Sequence, residues 1–136
     1  APAAGPAPAA EPTPAPAVRK PPGPSGASNA RAYRSDGARH LYDVYADRIW
    51  KGRLPPMLHA VAVVDVDIDN RGQVRSVRWQ RPPRNAPEVG PMIEKMIRDA
   101  APYPAPARLG RVTYTEVWLW HESGKFQLDT LTEGQD

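Results

Sequence analysis

The sequence contains no cysteine. That excludes disulfide frameworks and thiolate metal sites and leaves the compartment open. It contains no run of 18 apolar residues, so nothing in it reads as a membrane-spanning helix. G-x-S-x-G, a glycine-rich phosphate loop and an H-x-x-x-H pair are all missing. The three histidines, His40, His59 and His121, fall on three separate segments without a glutamate pairing. No catalytic set, metal site, cofactor or small-molecule substrate is indicated, and the chain does not read as an enzyme.

Net charge is also nearly absent where a domain would need it for nucleic acid. The formal charge is +3. Residues 1–35 carry Arg19, Lys20, Arg31 and Arg34 against Glu11, which accounts for all of it. The remaining 14 basic and 14 acidic side chains cancel, so bulk charge gives no polybasic domain and no nucleic-acid partner. The chain begins at Ala rather than Met and is read as a processed or trimmed piece, with any signal peptide or anchor lying upstream.

Proline is what the chain has in abundance. Nine of its 18 prolines lie in Ala1–Pro24, APAAGPAPAAEPTPAPAVRKPPGP, which has no aromatic residue. Such a segment cannot bury enough apolar surface to offset its ordering entropy, so disorder is expected. Alternating Ala-Pro favours extended polyproline II, and at ~3.1 Å per residue these residues reach roughly 75 Å. Ser25–Ser35 is also polar, so the expected organisation is a spacer over 1–35 and one domain over 36–136.

Within the domain, DGARHLYDVYADRIW (36–50) places Leu41, Val44, Tyr45 and Ile49 at helical spacing, and Gly52 with Pro55-Pro56 closes it. HAVAVVDVDI alternates, with Val64, Val66 and Ile68 on one face and Asp65, Asp67 and Asp69 on the other. DNRG is a turn, and QVRSVRW a second strand of an antiparallel hairpin. VGPMIEKMIRDAA sets Met92, Ile93, Met96, Ile97 and Ala100 on one stripe of a second helix. VTYTEVWLWHE is a third strand whose two faces are both mixed, so periodicity leaves open which is core. Ser123-Gly124 turns it into a short fourth run, KFQLDTL. The expected fold is α+β, with two helices on one face of a three- or four-stranded antiparallel sheet.

Three stretches invite chemistry. Counted from Asp65, the EF-hand positions that need Gly and Glu hold Asn70 and Ser76, so DVDID reads as carboxylates on the wet face of a strand. Arg71, Arg75, Arg78, Arg81 and Arg84 crowd around Trp79, a pattern that binds single-stranded nucleic acid in some modules. The stronger reading pairs these arginines with the aspartate row across the hairpin. The third stretch is AAPYPAP (100–106), with prolines at alternate positions where a helix ends. Pro102 stops the helix, Pro104 and Pro106 keep the chain extended, and Tyr103 is placed to seal a corner.

A helix ending in A-A-P-Y-P-A-P after a strand pair joined by N-R-G-Q-V resembles the C-terminal domain of the TonB/TolA energy-transducer family. Y-D-V-Y-A-D-R-I-W followed by P-P, V-D-V-D-I-D-N-R-G-Q-V-R-S-V and the Ala-Pro spacer are similar too, and the likeness spans 42–120. R-P-P-R-N stands where that family has S-S-G, Q-P-x-Y-P has no counterpart, and the helix-first start is closer to the TolA-like branch. The resemblance implies a periplasmic binding module, anchored to the inner membrane by a segment absent from this chain. It would couple a proton-motive-force motor to an outer-membrane receptor or another envelope protein. It also implies partner binding by strand addition along the last long strand, at Val112, Thr113, Tyr114, Thr115, Glu116, Val117, Trp118 and Leu119, in a monomer or weak dimer. A free envelope protein with the same fold is the alternative.

Overall fold

The computed structural model describes residues 21–132 and Gly134; most of the expected spacer lies outside the described residues. Among the described residues, two α-helices and a four-stranded antiparallel sheet make up the α+β fold, in the order α1 (Ala30–Val44), β1 (Ala60–Ile68), β2 (Val74–Arg81), α2 (Val89–Asp99), β3 (Val112–Trp120) and β4 (Phe126–Leu128). The strand order across the sheet is β2-β1-β3-β4.

Helix α1 starts earlier than the apolar spacing indicates. Asn29 caps it, its side chain accepting from the Ala32 N–H at 2.8 Å, so the helix begins six residues before Asp36. It ends at Val44, and Ala46–Arg48 tightens into a 3-10 turn instead of continuing to Trp50. The folded part also reaches back before the helix. Ser25 is buried, its N–H donates to the Ala105 carbonyl at 2.9 Å, and its hydroxyl donates to Asp36. Residues 25–35, assigned to the spacer on polarity, therefore supply the α1 N-terminus and the buried Tyr33.

The β1–β2 hairpin turns through Asp69–Gly72. Asp69 Oδ1 accepts from the Arg71 and Gln73 N–H groups, and Gly72 takes φ +82°. Alternation then settles the core. Ala60, Ala62, Val64, Val66 and Ile68 are buried, and their partners across β3 are Trp120, Trp118, Glu116, Tyr114 and Val112, all buried. The face of β3 that periodicity left undecided is thus the one carrying both tryptophans. At ~25 cal/mol per Å2, each buried tryptophan contributes roughly 4 to 6 kcal/mol gross, before the entropy of ordering it. Phe126 extends this layer, with its ring 4.6 Å from that of Trp118.

Helix α2 turns Val89, Ile93, Met96 and Ile97 into the same core cluster as Tyr33, Ala38 and Leu41 of α1. Met92, expected on the buried stripe, is exposed, because the stripe runs through 89, 93, 96, 97 and 100 and leaves it on the flank. The opposite face carries two i,i+4 ion pairs, Lys95–Asp99 and Arg98–Glu94.

The segment after α2 ties the domain together. Tyr103 is buried; its N–H donates to the Gly72 carbonyl, and its hydroxyl donates to the Ile97 carbonyl at 2.8 Å. Tyr33 donates to the Pro104 carbonyl at 2.7 Å, and a His40 ring nitrogen lies 2.7 Å from the Ala100 carbonyl. Each alternate proline thus leaves a carbonyl or a neighbouring amide to a specific partner, and the corner holds helix, hairpin turn and sheet in register.

Candidate functional site

Strand β3 is paired with β1 along its whole length, Val112–Trp120. On its other side β4 pairs only with Trp118, Leu119 and Trp120. The expected binding edge therefore narrows: Trp118 and Leu119 are covered on both sides, and Val112–Val117 is the part with no second strand among the described residues. A three-residue β4 is simply too short to cover a nine-residue neighbour.

Alternation decides which groups this edge offers. The His121 N–H donates to the Lys125 carbonyl in the β4 ladder, and Trp120 accepts from His59 on the β1 side. Stepping back by twos, Thr113, Thr115 and Val117 direct their backbone groups away from β1, and Val112, Tyr114 and Glu116 direct theirs toward it. The Val117 N–H is already used, donating to the Glu116 carboxylate at 3.1 Å. What remains is a short row of donors and acceptors centred on Thr113 and Thr115. The side chains of these two threonines are held flat on the outer face, donating to Asp67 and Asp65 of β1.

Glu116 is the residue that sequence reasoning undervalued. It is fully buried and receives four donors: the Tyr114 hydroxyl at 2.6 Å, the Val117 N–H, and the N–H and hydroxyl of Thr130. Burial pushes its carboxyl above the usual range although these bonds pull the other way. The Tyr114 hydroxyl is driven well up, by burial first and then by the Glu116 charge. Thr130 belongs to the 3-10 turn after β4, so Glu116 ties the C-terminal run to the point where the open edge begins. A lone Glu on the tryptophan-bearing face was the one available signal for it.

The aspartate row and the arginines do meet across the hairpin. Asp67 accepts two bonds at 2.9 Å from Arg78, with further bonds from Ser76 and Thr113, and Arg75 pairs with Asp69 at 3.0 Å. Arg78 foremost, then the two hydroxyls, hold the Asp67 carboxyl below its usual range. The histidines remain apart, His40 against Ala100, His59 beside Glu88 and His121 beside Ser123. Trp50 leaves the helix it was assigned to and packs on His121, ring centroids 4.3 Å apart. Compared with protein-family models, with curated proteins and with solved structures, the chain finds no match.

Proposed function

We propose that this chain is the periplasmic C-terminal domain of a TonB/TolA-like energy transducer, with both helices on one face of the sheet. It takes an extended segment of an outer-membrane receptor or another envelope partner onto the open edge of β3. A missing N-terminal anchor links it to an inner-membrane motor driven by proton-motive force. The observation that carries this reading is the short row at Thr113 and Thr115 with no second strand among the described residues, in a helix-strand-strand-helix-strand chain whose second helix ends in AAPYPAP. Added strands gain backbone hydrogen bonds at such an edge, and alternate side chains select the partner.

The test is an NMR titration of the whole chain with extended peptides from receptor N-termini, following backbone amides. Shifts concentrated on Thr113 and Thr115 are expected. Thr115→Pro removes one outward N–H at an unpaired position, where proline is tolerated, and abolishes those shifts; Thr115→Val preserves them. Shifts confined to another surface, or none with any peptide, would sink the proposal. The second outcome would favour a free envelope protein, a reading that the β4 cover over Trp118–Trp120 and the Glu116–Thr130 bonds already support.

A further inference from the structure

The two segments that border the start of the open β3 edge carry charge of one sign. Residues 21–35 hold Arg31 and Arg34, residues 107–115 hold Arg108 and Arg111, and neither stretch holds an acid. Arg31 and Arg111 are exposed. The side chains of Arg31, Arg34 and Arg111 make no hydrogen bond or ion pair among the described residues. On β1, Asp67 opposite Thr113 is already held by Arg78, and Asp69 by Arg75.

Arg34 is the one of these that the fold partly buries. Its Nε is shielded from solvent and has no hydrogen-bond partner among the described residues. Helix α1 packs on β3 and on the 3-10 turn after β4. It runs along β3 in the same direction: Gly37 faces the Tyr114 ring, and the Tyr42 hydroxyl accepts from the N–H of Leu128, the partner of Trp118. Arg34, one turn before Gly37, therefore falls beside Val112–Tyr114, at the start of the open edge. Burial foremost, and then the Glu116 charge, raise the Tyr114 hydroxyl, and the Arg34 charge opposes them, so the guanidinium is within electrostatic range of that residue. A groove of about 880 Å3 opens at the same end of the sheet, lined in part by Ala30, Arg111, Val112 and Thr113.

A guanidinium cut off from water at one nitrogen and given no acceptor carries a desolvation cost that an anion relieves. The edge beside it offers backbone N–H and C=O groups in alternation at Thr113 and Thr115. An extended peptide matches both kinds, whereas a phosphate chain has no donors for the carbonyls. We propose that the open β3 edge selects an extended peptide segment bearing an acidic side chain, whose carboxylate is taken by Arg34 on the helix side. Arg31, three positions before Arg34 on α1, and Arg111, next to Val112, add attraction where the segment enters. The inference rests on the reading of β3 as the docking edge and adds the charge that its partner carries.

The test is an NMR titration of the whole chain with two synthetic peptides, acetyl-TVTETVT-amide and its glutamine counterpart acetyl-TVTQTVT-amide. Shifts at Thr113 and Thr115 are expected with both, with a Kd about tenfold lower for the glutamate peptide. Arg34→Gln brings the two peptides to equal affinity, whereas Arg111→Gln leaves a preference for glutamate. The Nε–H resonance of Arg34, shielded from water, shifts with the glutamate peptide and not with the other, a readout that needs no substitution. Equal affinity of the parent chain for both peptides, or a preference that survives Arg34→Gln, overturns the inference and leaves the docking edge standing. An edge silent to both peptides overturns the inference and the docking edge together. The same shifts with an oligo-dT strand would assign the arginines to phosphate and overturn the choice of an acidic peptide.

Discussion

The Tyr103 N–H donates to the Gly72 carbonyl at 2.8 Å, and a Cβ built on Gly72 would sit 2.0 Å from the Tyr103 carbonyl oxygen. Gly72 also holds φ +82°, a conformation that side chains resist. Two independent costs therefore fall on the same atom, and neither neighbour is a flexible side chain that can move aside. Gly72→Ala should destabilise the domain by at least about 2 kcal/mol, read as a lowered urea midpoint at unchanged slope. An effect below half a kcal/mol would mean that the hairpin turn and the proline segment are not in contact.

Glu116 should give the stability profile a limb that falls with rising pH. Its carboxyl titrates above the value of 4.5 that it has when unfolded, so the folded chain binds the extra proton between the two pKa values. Stability contributed by that proton is complete below about pH 4.5 and is lost as pH rises through the raised value. Glu116→Gln keeps an oxygen for Val117 and Thr130 and removes this dependence. Its stability relative to the parent should improve between pH 4.5 and 7. Glu116→Leu leaves buried donors unmatched and should cost on the order of 3 kcal/mol at either pH. Urea titrations of the three proteins at several pH values decide it; parallel profiles for parent and Gln variant would refute the buried charge.

Asp67 should act in the opposite sense and in a different window. Its carboxyl titrates below its unfolded value of 3.8, so its contribution is present above that pH and disappears on further acidification. Asp67→Asn should cost roughly 1 to 2 kcal/mol at pH 7 and flatten the acid limb below about pH 4. Arg78 is half exposed, so part of this cost should fade in 0.5 M salt while the Ser76 and Thr113 contributions persist. An unchanged acid limb in the Asn variant would exclude Asp67 as the link between the three strands.

The Asp67–Arg78 pairing was legible in the sequence because a period-two row of one charge faced a row of the other across a recognisable turn. The element order and the role of Pro102 were legible for the same local reason. Glu116 was not, since a single acid on an apolar face carries no periodic signal, and its four donors come from residues 114, 117 and 130. The start of α1 was hidden by Arg31, Arg34 and Ser35, polar residues that surround Tyr33, whose hydroxyl finds its acceptor 71 residues away at Pro104. The narrowing of the β3 edge depended on where a three-residue strand would stop, a boundary set by the Glu116–Thr130 contact rather than by composition.

Gly37 sets two known effects against each other and shows which dominates. It sits inside α1, where Ala would ordinarily stabilise by about 1 kcal/mol through helix propensity. A Cβ there would lie 2.8 Å from the Tyr114 ring. That ring is buried, and its hydroxyl is committed to Glu116 at 2.6 Å, so it cannot swing away without breaking the carboxylate cluster. Overpacking of this kind costs typically 1 to 3 kcal/mol, which outweighs the propensity gain. Gly37→Ala should therefore be net destabilising by roughly 1 kcal/mol. Coupled to Tyr114→Leu, which clears the ring, the same substitution should become neutral or favourable. A double-mutant cycle by thermal and urea unfolding measures this coupling, and additive effects would show that α1 does not rest on Tyr114.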